Sequence, residues 1–118
     1  MSLTTIMIVE DEFIVGLDLM ETTQDLGFVA EGPFTTVREA SAAADHLAPD
    51  AAILDVQLED GEVYPLADKL VQMGVPIIFH SGHARPSDLI ERYPGALTCG
   101  KPCSPDTLIA MLLTATQA

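Results

Sequence analysis

The chain has 118 residues, 48% of them hydrophobic, which suits one folded domain with its own core and excludes both a two-domain protein and a disordered chain. Eighteen acidic residues against five basic ones give a formal charge of −13, so the clustered Lys and Arg that a nucleic-acid or anionic-membrane partner requires are missing, and a protein partner with a basic or apolar face fits better. No apolar run approaches the ~20 residues of a membrane span and no leader pattern opens the chain, so a soluble, cytoplasmic protein is expected.

Strand-like and helix-like segments alternate five times. Thr5–Val9 is a short β-branched, apolar run, the pattern of a strand buried on both faces. Residues 12–26 carry Phe13, Leu17, Met20 and Leu26 at helical spacing, read as a core-facing stripe, and Gly27 stops that helix. Phe28–Glu31 reads as a more exposed strand ended by Gly32 and Pro33. Thr36 with Glu39 forms a capping-box pattern opening a helix through Leu47, with His46 on its exposed side. Ala51–Asp55 is a third, buried strand. A helix begins after Gly61 and ends near Gly74, and Pro76–His80 is the fourth strand. A short Pro-bounded helix spans Ser87–Tyr93, and a weak strand spans Ala96–Cys99. Ser104 and Pro105 then open a last helix with Leu108, Met111, Leu112 and Ala115 on its apolar face.

This alternation predicts an α/β fold with a parallel sheet, right-handed crossovers and helices on both faces. No repeat, low-complexity tract or linker interrupts it, so residues 1–118 are expected to form one domain without an effector domain. Cys99 and Cys103 lack the second Cys or His pair of a metal site and are expected to be ordinary reduced thiols.

In such sheets ligands bind at the carboxyl ends of the strands. There the sequence places Glu10, Asp11 and Glu12 after the first strand and Asp55 at the end of the third. Ser81 and Gly82 follow the fourth strand, and Lys101, one of two lysines in the chain, follows the fifth. Acids after strands often cap the next helix, but capping does not account for the whole set on one rim. Crowded carboxylates repel, and a hard cation with oxygen ligands, most simply Mg²⁺, relieves the repulsion. A carboxylate beside such an ion is a nucleophile toward phosphorus, and a lysine and a hydroxyl can bind the phosphoryl oxygens.

Ile8–Glu12, Ile53–Val56, Ile77–Gly82 and Lys101-Pro102, in this order and spacing, resemble the receiver domains of bacterial two-component response regulators over essentially the whole chain. The resemblance implies a flavodoxin-like, doubly wound (βα)5 fold with a five-stranded parallel sheet in the order 2-1-3-4-5. It implies phosphorylation of Asp55 by a sensor histidine kinase or phosphotransfer protein, and output through a downstream protein target. Glu10, Asp11, Asp55 and the backbone carbonyl of Gln57 would hold Mg²⁺. Ser81 would be the switch hydroxyl and Lys101 the phosphoryl-pairing lysine, with a cis Lys101–Pro102 bond.

Phe79–His83 is similar to the Phe-Ala-Thr-Gly-aromatic signature of the stand-alone receivers called the FATGUY group, with His80, Ser81 and His83 at positions where that signature differs. His80 is assigned a packing role at the strand end and His83 a position on the rim; the lesser alternatives are that His83, with Gln57, tunes water access, or that the histidines bind a metal. Thr98 stands where many chemotaxis-type receivers carry a switching aromatic, and the loop after Asp55 is short. Residues 83–99 are the candidate output face. The family is not an enzyme acting on outside substrates. Two alternatives are an unphosphorylated binding module and an aspartate-nucleophile phosphatase; the latter typically carries a second Asp where this chain has Gln57.

Overall fold

A computed structural model describes residues 3–117. Five strands form one parallel sheet: β1 (Thr5–Val9), β2 (Val29–Phe34), β3 (Ala51–Leu54), β6 (Ile77–Ser81) and β7 (Leu97–Gly100). Two-residue strands β4 (Gln57–Leu58) and β5 (Gly61–Glu62) pair separately as a small antiparallel hairpin. The main sheet runs β2-β1-β3-β6-β7, the 2-1-3-4-5 order once the hairpin strands are set aside. Helices α1 (Phe13–Asp25), α2 (Val37–Leu47), α3 (Tyr64–Gln72) and α4 (Pro86–Arg92) make the crossovers, and α5 (Pro105–Thr116) follows the last strand. This is the flavodoxin-like α/β architecture. Among the described residues no helix is long and apolar enough to cross a membrane.

Strand alternation splits the core into two layers. Met7, Val9, Leu54 and Phe79 face one way and pack with Leu66 and Leu70 of α3 and Leu89 of α4. Ile6, Ile8, Ile53 and Ile78 face the other way and pack with Leu19 of α1 and Leu108 and Leu112 of α5. Each such side chain, taken fully from water, contributes about 1.5–3 kcal/mol. The central strands β1 and β3 are therefore the best-anchored part of the sheet.

Three expectations need correction. The second strand does not stop at Gly32 and Pro33 but runs on to Phe34, whose carbonyl accepts from Glu10 N–H at 2.9 Å after a register shift between Met7 and Val9. An edge strand tolerates a proline without N–H when the ladder is irregular there. Gly32, at φ +128°, lies so close to Ile8 that a Cβ would strike its carbonyl oxygen. The stripe read on α1 is half right, since Met20 and Leu26 pack against the core. Gly16, Leu19 and Thr23 face the core, whereas Phe13 and Leu17 are 62% and 45% exposed. This helix is apolar on several sides, so its period alone did not fix its rotation. Gly16 fixes it by letting α1 settle against Pro33, where a Cβ would meet the proline ring at 2.7 Å. Finally, Cys99 and Cys103 are joined in a disulfide rather than standing as free thiols. The strand end and the loop after it turn back on themselves, bringing the Cα atoms to 5.7 Å, within bridging range.

Candidate functional site

The carboxyl ends of β1, β3, β6 and β7 meet at one rim. Asp55 stands directly past β3, its N–H bonded to Val9 carbonyl at 2.9 Å. Glu10 follows β1 and is fully buried, and Asp55 is nearly so. One oxygen from each of Glu10, Asp11 and Asp55 lies within 4.8 Å of the others. Lys101 reaches in from the loop after β7, where its N–H bonds Ser81 carbonyl at 3.0 Å. Its ammonium stands 2.8 Å from Glu10 Oε1, 3.0 Å from Asp55 Oδ2 and 3.3 Å from Glu12 Oε1. A cavity of about 200 Å³ opens over the set, lined by Asp11, Asp55, Gln57, His83 and Lys101.

Burial, the neighbouring carboxylates, His80 and one shared ammonium together set the protonation of these acids. For Glu10, burial alone raises the carboxyl. The nearby His80, Asp55 and Lys101, with the N–H of Glu12, outweigh it and hold Glu10 at about 2. Asp55 moves the other way, to about 6, through burial and then Glu10, with Lys101 opposing. Asp11 is also raised, by burial and by Glu10. Burial disfavours the Lys101 ammonium, but Glu10 and Asp55 overcome this and push it upward. Three hard oxygen donors, converging and incompletely neutralised, are a donor set suited to Mg²⁺.

The other predicted residues fall around this centre. Ser81 Oγ accepts from the N–H groups of Ala84 at 3.1 Å and His83 at 3.3 Å, tying down the β6–α4 loop. His83 is on the exposed rim, and His80 is 3% exposed at the end of β6. The Lys101–Pro102 bond is cis. Thr98 and Ser81 line a cavity of about 220 Å³ together with Phe79 and Leu89.

Several contributors were not foreseen. Asp60, in the β4–β5 turn, accepts from Val37 N–H at 2.7 Å and Arg38 N–H at 3.1 Å, so the short loop after Asp55 caps α2. Thr36 caps the same helix through Glu39 N–H at 3.0 Å, as its sequence pattern indicates. Tyr93, just past α4, donates to Asp68 of α3 at 2.7 Å and packs on Phe79. Arg92 lies over the Tyr64 ring at 4.3 Å. Nothing in the spacing of these residues announces such contacts between distant segments.

A doubly wound sheet with an acidic pocket and a single lysine at its carboxyl edge defines a receiver-like α/β domain. No family model matches the chain. It is 32% identical to SdrG from Sphingomonas melonis Fr1, covering 99% of this chain and 100% of that one at a TM-score of 0.81. The BeF3-activated conformation of SdrG matches at 33% identity and a TM-score of 0.76, covering 97% and 96% of the two chains. The signal receiver domain of a modulated diguanylate cyclase from Desulfovibrio desulfuricans G20 is 27% identical at a TM-score of 0.83, covering 98% and 94%. The phyllosphere-induced regulator PhyR of Methylorubrum extorquens is 30% identical over 112 residues, 92% of this chain and 42% of that protein. The chain thus spans less than half the length of this curated relative. It belongs to the receiver domains of response regulators.

Proposed function

We propose that Asp55 accepts a phosphoryl group from the phosphohistidine of a sensor kinase or phosphotransfer protein, and that the domain then signals through a protein target. The observation that carries this reading is the buried Asp55 carboxylate held between the acids Glu10 and Asp11 and the ammonium of Lys101. An Asp55 carboxylate oxygen bonds to phosphorus, the N–P bond breaks, and its electron pair returns to the imidazole, leaving an acyl phosphate. Lys101 pairs with the phosphoryl oxygens. Ser81 gives up the N–H groups of His83 and Ala84 to donate its hydroxyl to the same oxygens. Mg²⁺ held by Glu10, Asp11, Asp55 and the Gln57 carbonyl would neutralise the charge that gathers on those oxygens. The BeF3-activated form of SdrG supports the reading, since beryllofluoride mimics a phosphoryl group.

Phe13, Ile14 and Leu17 leave an apolar patch on α1 next to the acidic rim, a suitable seat for the donor protein. Residues 83–99, reached from the loop that Ser81 releases, are the output face. The chain is read as acting only on its own phosphorylation.

Incubation with Mg²⁺ and acetyl phosphate should add the mass of one phosphoryl group, and Asp55→Asn should abolish the adduct. An adduct that survives Asp55→Asn refutes the assignment. Repeated turnover of a phosphate ester favours the phosphatase alternative, and partner binding without any adduct favours the unphosphorylated module.

A further inference from the structure

We propose that His80 is a positioning residue for the acidic pocket, its imidazole Nδ1–H donating to Glu10 Oε1 and holding that carboxylate in its cation-binding orientation. The proposal rests on Glu10 being a metal ligand. Among the described residues, Glu10 Oε1, ion-paired with Lys101 at 2.8 Å, makes no aligned hydrogen bond, and His80 Nδ1 is a buried side-chain nitrogen without a hydrogen-bond partner. They stand 3.6 Å apart, with side chains 0% and 4% exposed. A buried imidazole nitrogen without a partner, facing a carboxylate oxygen that has room for a second donor beside Lys101, is a mismatch that an N–H···O bond resolves, and a shift of about half an ångström brings the two to its ordinary length.

Position in the fold explains why this contact matters to the pocket. His80 lies on β6, beyond Ile78 on the face toward α1 and α5, whereas Phe79 faces the opposite layer. Its ring therefore stands behind Glu10, away from the solvent-facing mouth. The cation paired with Oε1 is the Lys101 ammonium, 2.8 Å away and shared with Asp55 and Glu12. When Lys101 turns to a phosphoryl group, Glu10 keeps His80 as its fixed partner. A ring clamped by β-sheet neighbours orients a carboxylate better than a lysine on a flexible stem. The groups from other elements that share a cavity with His80 are Glu12 and Asp18 from the α1 side and Lys101 and Cys103 from the β7–α5 loop.

Calorimetric titration of the full chain with MgCl₂ tests this. His80→Leu, apolar but able to fill the strand end, should weaken Mg²⁺ binding by about tenfold or more. His80→Asn, which places an amide N–H where Nδ1–H stands, should recover most of the loss, and both variants should keep the wild-type urea midpoint closely enough to show a folded domain. Wild-type affinity in His80→Leu overturns the proposal alone. Equal loss in Leu and Asn variants that are folded also overturns it, because packing rather than the donor then matters. A wild-type chain that binds no Mg²⁺ refutes the metal reading of the pocket, and the proposal with it. One readout needs neither metal nor variant: a slowly exchanging imidazole N–H resonance from His80 is expected in the metal-free protein, and its absence counts against the bond.

Discussion

The two halves of the rim are built differently. Glu10 and Asp55 directly follow β1 and β3, central strands with neighbours on both sides and apolar layers on both faces, and both are buried. Ser81 and Lys101 stand where β6 and β7 give way to loops. The adjoining α4 has seven residues, of which Leu89 alone is buried. Carboxylates that must keep a fixed geometry thus sit on the stiffest part of the sheet. In the proposed function the hydroxyl, the lysine and α4 respond, and α4, with a single buried residue, opens at lower free-energy cost. Under the proposed function, the chemistry belongs to one half and the reporting to the other.

The most severe break is to remove the cation that joins the halves. Lys101→Met leaves Glu10, Asp55 and Glu12 facing one another without the ammonium, and in metal-free protein at neutral pH this should cost about 3 kcal/mol in urea unfolding. The same variant should accept phosphoryl about a hundredfold more slowly from acetyl phosphate, the usual penalty for losing one donor to a developing anion. A stability loss much smaller than this would mean that the acid half neutralises itself by sharing protons, with Lys101 a rim contact.

A milder probe is pH. Asp55 is raised to about 6 in the folded chain, so the fold binds its proton more tightly than the unfolded chain does. Stability from this group is then present below its unfolded value, near 4, and is lost as pH rises through about 6. Metal-free protein should therefore be more stable at pH 5 than at pH 7. Glu10, held at about 2, works in the opposite direction only at lower pH. Saturating Mg²⁺ should remove the decline between pH 5 and 7, and Asp55→Asn should remove it without metal; urea midpoints across this range read both.

What could be read from sequence cuts across this division. The rim was legible because buried strands are short unbroken apolar runs, and the residue at or after the end of each run lands on it. Glu10, Asp11, Asp55, Ser81 and Lys101 all lie where that rule puts them. Contacts between distant segments were not legible. Asp60 caps a helix that begins 23 residues earlier, and Tyr93 reaches Asp68 across 25 residues. The rotation of α1 depends on a glycine meeting Pro33 of another strand, which no helical period encodes. The two-residue hairpin of β4 and β5 is too short to show a strand pattern at all.

On the reporting half, Tyr93→Phe removes the hydroxyl that ties α4 to α3. Burial, and then the neighbouring Asp68 carboxylate, raise this phenol well above its ordinary value, so it stays a donor at working pH. Losing one hydrogen bond to a charged but partly solvated acceptor should cost about 1 kcal/mol. The change should also raise amide exchange in Pro86–Arg92 and leave β1 and β3 protected. If exchange rises equally in the central strands, the two halves unfold as one unit and the division fails.

The smallest effect is expected at Asp60, which belongs to the acid half although it is exposed. The Val37 N–H, and then that of Arg38 against a small opposing cost of burial, hold its carboxyl below the ordinary value. A depressed acid supports the fold above its unfolded value and loses that support as pH falls through its folded one. Asp60→Asn keeps an oxygen to accept one of the two N–H groups but removes the charge from a helix N-terminus. The urea midpoint should drop slightly at pH 7 and converge with wild type under acid conditions, while phosphoryl acceptance stays unchanged. A fall in acceptance instead would mean that the hairpin after Asp55 transmits the α2 cap to the pocket, and that the stiffness of the acid half depends on its loop as well as on its strands.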